Sequence, residues 1–253
     1  MSLMLRTLCL TMILAFQGSA QTMAERPATY LRQATVTQTA ELVHVTANSP
    51  RPLLQTLDAL QRTYGWLAGY EDPRYNLRVE VVDVMNNGSR VEVPAGGEFS
   101  VEFPANAPDQ EKTLRLIVDA YNQSKNPGRF ELRRTAQGVL YLVGTAAHNE
   151  AGAISSREPL LDTVITLGTQ ERTVADTLGL LCQAVAAQGH TTIVVGVVPR
   201  NILEYTTATI GGTKISAREL LSECLKATHR NLYWRLLFDP ASQRYFLDIH
   251  LSR

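Results

Sequence analysis

Thr173-Val174-Ala175-Asp176-Thr177-Leu178-Gly179-Leu180-Leu181-Cys182-Gln183-Ala184-Val185-Ala186-Ala187-Gln188-Gly189, with the run Thr191 to Val198 behind it, is the stretch on which the fold turns. Val174, Leu178, Leu181 and Val185 recur at i, i+4, i+7 and i+11, one face of a helix. Thr173 and Asp176 form a capping box with Asp in place of the usual Glu. Gly189 ends the pattern where a left-handed residue is least costly. The β-branched run that follows predicts a strand.

The same phrase stands earlier in the chain, where Leu53, Leu57, Leu60 and Tyr64 repeat the spacing and Gly65 stops it. Ser49-Pro50 opens that helix, Ser as cap and Pro in the first turn. Each stripe leads to a short strand and a Pro-Arg pair, Pro73-Arg74 and Pro199-Arg200. A second helix follows in each copy, capped by Asp109 in the first and by the full box Ser216-Ala217-Arg218-Glu219 in the second. A hairpin closes each copy. From stripe to stripe, Leu53 to Leu114 is 61 residues and Val174 to Leu221 is 47. The difference of 14 lies in residues 76–103 as an inserted hairpin around Asn86-Asn87-Gly88.

The sequence thus predicts α+β class: two tandem βαββαββ modules, each with two helices packed on small mixed sheets. The first spans 39–144 and the second 159–253. Residues 145–158, without periodicity, read as a linker, and the polar stretch 21–38 as a flexible lead-in.

Residues 1–20 read as a signal peptide: Arg6, an apolar run from Leu8 to Phe16, and small residues Gly18-Ser19-Ala20 before a cleavage site at Gln21. That run is shorter than the roughly 20 residues a membrane-spanning helix needs. The mature chain is therefore expected in the periplasm or outside the cell, with no transmembrane segment. The full chain has 24 cations and 24 anions, and the leader holds one cation, leaving 23 against 24. This neutrality argues against a nucleic-acid surface. The 45% hydrophobic content is ample for folded cores.

Chemistry is sparse. No nucleophile elbow, phosphate loop or metalloprotease motif occurs, and five histidines are scattered without ligand spacing. The reading is of a protein that is not an enzyme and takes no cofactor or metal. Tyr64, Trp66, Tyr70, Glu71, Asp72, Arg74 and Tyr75 form the candidate binding segment, since aromatics and Arg dominate interfaces. The competing reading puts Tyr64 and Trp66 in the core and the charges on a turn. Glu71 and Asp72, as strand neighbours, point to opposite faces and make a poor acid–base pair. The second copy has Val197-Val198 there, which implies that the fold does not need the acids. Cys182 and Cys224, both on apolar stripes, can form a helix-to-helix disulfide in an oxidising compartment or remain buried thiols.

Thr173 to Gly189, Thr191 to Val198 and Ser216 to Leu225 together resemble the short N-terminal domain shared by secretins and TonB-dependent receptors, the STN domain. The resemblance covers the second copy and, more loosely, the first. It implies an interaction module of the cell envelope with a protein partner. The alternative is a periplasmic small-molecule or glycan-binding protein using the Trp66–Tyr75 aromatics.

Overall fold

The computed structural model describes residues 33–76, 78–86, 89–106 and 108–252. The leader and the Asn87-Gly88 turn lie outside the described residues. In chain order the elements are β1 (Thr35–Gln38), β2 (Leu42–Ala47), α1 (Pro52–Tyr64), β3 (Gly69–Glu71), β4 (Val81–Asn86), β5 (Ser89–Pro94), β6 (Phe99–Pro104), α2 (Gln110–Gln123), β7 (Arg129–Arg134) and β8 (Leu140–His148). They continue with β9 (Ile154–Ser156), a 3-10 turn (Leu160–Asp162), β10 (Val164–Thr173), α3 (Val174–Gly189), β11 (Thr192–Val195), α4 (Arg200–Tyr205), β12 (Thr207–Ser216), α5 (Ala217–Ala227), β13 (Leu232–Asp239) and β14 (Arg244–Leu251). The class is α+β.

The caps explain why the helices start where they do. Asp109, Thr173 and Ser216 each accept the backbone N–H three residues on, which satisfies one of the free donors of the first turn. α1 departs from expectation. Ser49 does not cap it; the helix begins at Pro52, and Arg51 stands before it in the left-handed region without a side-chain cap bond. Its guanidinium is used elsewhere, as described below. The left-handed residue closing α3 is His190 rather than Gly189. The short helix α4 carries too little periodicity to be read from sequence.

β2, α1, β3, β6, α2, β7 and β8 follow one another in the order of β10, α3, β11, β12, α5, β13 and β14. The hairpin β4–β5 fills the gap in the first series and α4 fills it in the second. β1, β2 and β6 make one sheet, and β10 with β12 another. The largest sheet runs β11-β14-β13-β3-β8-β7, with β9 against β8. It takes strands from both series, joined where β13 lies parallel to β3. The stretch read as a linker supplies β9, antiparallel to the end of β8.

Two cores lie on opposite faces of this shared sheet. α3 and α5 bury Leu178, Leu181, Leu221 and Cys224 with Trp234, Leu236, Phe238, Tyr141 and Val143. α1 and α2 bury Leu53, Leu57, Leu114 and Ile117 with Tyr70, Phe130, Leu142 and Leu237. Leu236 and Leu237, or Leu142 and Val143, are strand neighbours, so alternation sends them to different cores. Burying one such side chain contributes about 1.5–3 kcal/mol.

Candidate functional site

β3 is the middle of the molecule, and it carries most of the segment expected to bind. With β13 on one side and β8 on the other, its side chains alternate between the two cores. Tyr70 and Asp72 face the α1/α2 side, Glu71 the α3/α5 side. The opposite orientation of the two acids agrees with their spacing. Their exposure does not agree with a surface role, because the Glu71 and Asp72 side chains are 1% and 0% exposed.

Asp72 is enclosed by donors. Arg51 Nε lies 2.7 Å from its Oδ2, and the Phe238 N–H donates to the same oxygen at 3.0 Å. The Tyr70 and Tyr75 hydroxyls donate to Oδ1 at 2.8 and 3.2 Å. Arg51 also donates to the Phe238 carbonyl, and so binds β13 from the start of α1. Burial works against the Arg51 charge, but Asp72 and the tyrosines hold it above its ordinary range. Burial, then the Asp72 charge, pushes both Tyr70 and Tyr75 well above theirs.

On the other face Glu71 Oε2 accepts from Arg218 of α5 at 2.7 Å, and its Oε1 accepts the Leu161 N–H at 3.2 Å. Arg218 also reaches Asp162 at 2.9 Å and lies 4.3 Å over the Tyr141 ring. Burial raises the Glu71 carboxyl above its usual range, against the lowering pull of Arg218. A third pair, Arg235 to Asp58 at 2.9 Å, ties β13 to α1 on the Asp72 side of the sheet. The seam between β3 and β13 is therefore held by charge on both faces.

The remaining segment residues disperse. Tyr64 and Trp66 stack at 4.8 Å at the border of the first core, half-buried. Arg74 is exposed and donates to Gln243 at 3.4 Å. It borders a groove of about 640 Å³ beyond β3, together with Arg78, Asn149, Glu150, Arg157 and Glu158. Tyr75 and Tyr245 reach its wall but are buried, so they offer no stacking platform. A second cavity of about 660 Å³ lies between α1 and β13–β14, bordered by Asp58, Gln61, Tyr233 and His250. Among the described residues no three of His, Cys, Asp and Glu come together as metal ligands.

Cys182 and Cys224 are free and buried in this structure. Burial pushes both up to about 12, so neither is a ready nucleophile. Sequence reasoning missed Arg51, Arg218 and Arg235. Arg218 left a trace: at 218, 221 and 225 it sits on the apolar stripe of α5, where a cation requires a buried partner.

A different surface is left open. Among the described residues β11 and β7 end the large sheet, and each has a strand on one side only. β11, Thr-Ile-Val-Val, has no charge and no proline; Val194 on it and Val197 just past its end are exposed. Among the described residues no helix is long and apolar enough to cross a membrane. No family model, curated protein or solved structure matches this chain.

Proposed function

We propose that this chain is an exported, non-catalytic protein of the cell envelope that acts as a protein-interaction module, as its resemblance to the STN domain implies. The observation that carries the reading is the uncharged, β-branched edge of β11. Exposed sheet edges recruit strands, and proteins normally guard them with Lys, Pro or a bulge. The segment first expected to bind supports the reading indirectly, since its acids are consumed in holding the seam. The alternative, a ligand resting on the Trp66–Tyr75 aromatics, has weaker support because Tyr70 and Tyr75 are buried.

Two measurements test this. The mass of the exported protein should correspond to a chain starting at Gln21; retention of Met1 would remove the compartment argument. A photo-crosslinker placed at Val194 in the producing cells should give a product of defined mass, and one at Leu116, exposed on α2, should not. No product at Val194 overturns the interaction reading.

A further inference from the structure

The interaction reading leaves the partner open, and the strand directions narrow it. β3 and β8 run parallel, with β7 antiparallel to β8. β11 and β14 run parallel, with β13 antiparallel to β14. The sheet thus contains the same three-strand group twice, β11-β14-β13 and β3-β8-β7, in the same lateral order. Because β13 is parallel to β3, the second group runs opposite to the first. One operation relates them: a half-turn about an axis in the sheet, perpendicular to the strands, with a shift of three strands. A half-turn of that kind exchanges the faces. This accounts for α1 and α2 covering one face while α3 and α5 cover the other.

The operation does not close. Inside the chain it pairs the last strand of one group, β13, with the first strand of the next, β3. Their equivalents at the outside are β7 and β11, the two open edges. A second application sets another β11-β14-β13 group beside β7, with β11 parallel to β7 and α3 and α5 on their original face. Two applications amount to a pure translation, which is the relation between successive molecules in an unclosed head-to-tail assembly.

We infer that the partner of the β11 edge is β7 of a second copy of this chain, so that the sheet continues from molecule to molecule. This rests on the interaction reading above and names its partner. The two edges differ in charge, β7 carrying Arg129, Glu131, Arg133 and Arg134 and β11 none. β11 offers an apolar backbone edge without charge. On β7, Phe130, Leu132 and Arg134 direct their backbone groups outward. The Asn122 amide occupies both groups of Phe130, donating to its carbonyl at 2.8 Å and accepting its N–H at 2.9 Å. Pairing therefore begins beyond Phe130. The internal seam shows that a short contact is enough to register two strands, for it consists of Arg235 opposite Tyr70 and Leu236 opposite Glu71. Leu236 lies opposite Leu247 and Leu132 opposite Leu142, while Val195 and Tyr70 pair those same two residues. The equivalent register puts Glu131 opposite Val195 of the neighbour. The outer contact lacks the ion pairs of the inner one, because Gly196 takes the place of Glu71. It should be reversible and concentration-dependent.

The test uses the mature chain in two single variants, Glu131→Cys and Val195→Cys, mixed under mild oxidation. Within one molecule the two sites are five inter-strand spacings apart, roughly 24 Å, too far for a disulfide. The native thiols are buried and do not compete. The mixture should give a disulfide-linked dimer, either variant alone should give none, and the double variant should give a ladder. Val194→Lys, which charges the edge at an exposed position, should abolish the ladder without lowering the melting temperature by more than a few degrees. Absence of a mixed dimer, or equal dimer in the single-variant controls, overturns self-assembly. Should Val195→Cys instead join a different protein in envelope extract, self-assembly fails while the interaction reading stands.

Discussion

β3 and β11 hold the same place in their two series and have opposite chemistry. β3 lies at the centre of the sheet with two acids at its end, both buried and paired. β11 lies at the edge and is wholly apolar apart from its first Thr. A usual protein would place the apolar strand inside and the charged one outside. The inversion follows from the seam. Joining two helix pairs through one sheet needs a strand that each can grip from its own side, and Glu71 and Asp72 supply one handle per face. β11 packs against α3 and needs no handle.

The comparison breaks most visibly at Arg218. Arg218→Met should cost about 3–5 kcal/mol at pH 7, because Glu71 is left buried without its cation. A carboxyl whose folded pKa is raised withdraws stability as pH rises through that value, so the deficit should shrink between pH 7 and pH 5. Urea unfolding at both values checks this; a deficit independent of pH would mean that Glu71 is not the group left behind. Asp72→Asn, which strands Arg51 instead, should cost about 3 kcal/mol by the same measurement. Gly69→Ala probes the seam sterically. Its Cβ would clash with the Trp234 indole, an overpacking worth about 1–3 kcal/mol, with a changed near-ultraviolet signal from Trp234. Cys182 and Cys224 should resist thiol reagents until the chain unfolds, and reductant should leave the mass unchanged. Val194→Lys should change stability least, by less than about 0.5 kcal/mol, while altering association.

Much of the local structure was legible. Asp109, Thr173 and Ser216 were read as caps and cap their helices; the stripes of α1, α2, α3 and α5 face the cores. The candidate site was not legible in the same way. The segment 64–75 reads as a binding surface whose acids the fold does not need, and the structure instead buries those acids in the seam. The absence of acids at Val197-Val198 suggested that dispensability, since two copies of one module ought to share what the fold requires. The copies, however, have different neighbours. Likewise Ser49 looked like a cap because nothing local reveals that Arg51 is needed at Asp72.

What the sequence by itself determined is the four longer helices, most strands and their buried faces, because caps and periodicity are contacts between residues a few positions apart. Only the tertiary structure decided which strands share a sheet and which charges meet. Arg218 reaches Glu71 across 147 positions and Arg51 reaches Phe238 across 187. At such separations no local pattern selects the partner; the burial of both groups in one seam does.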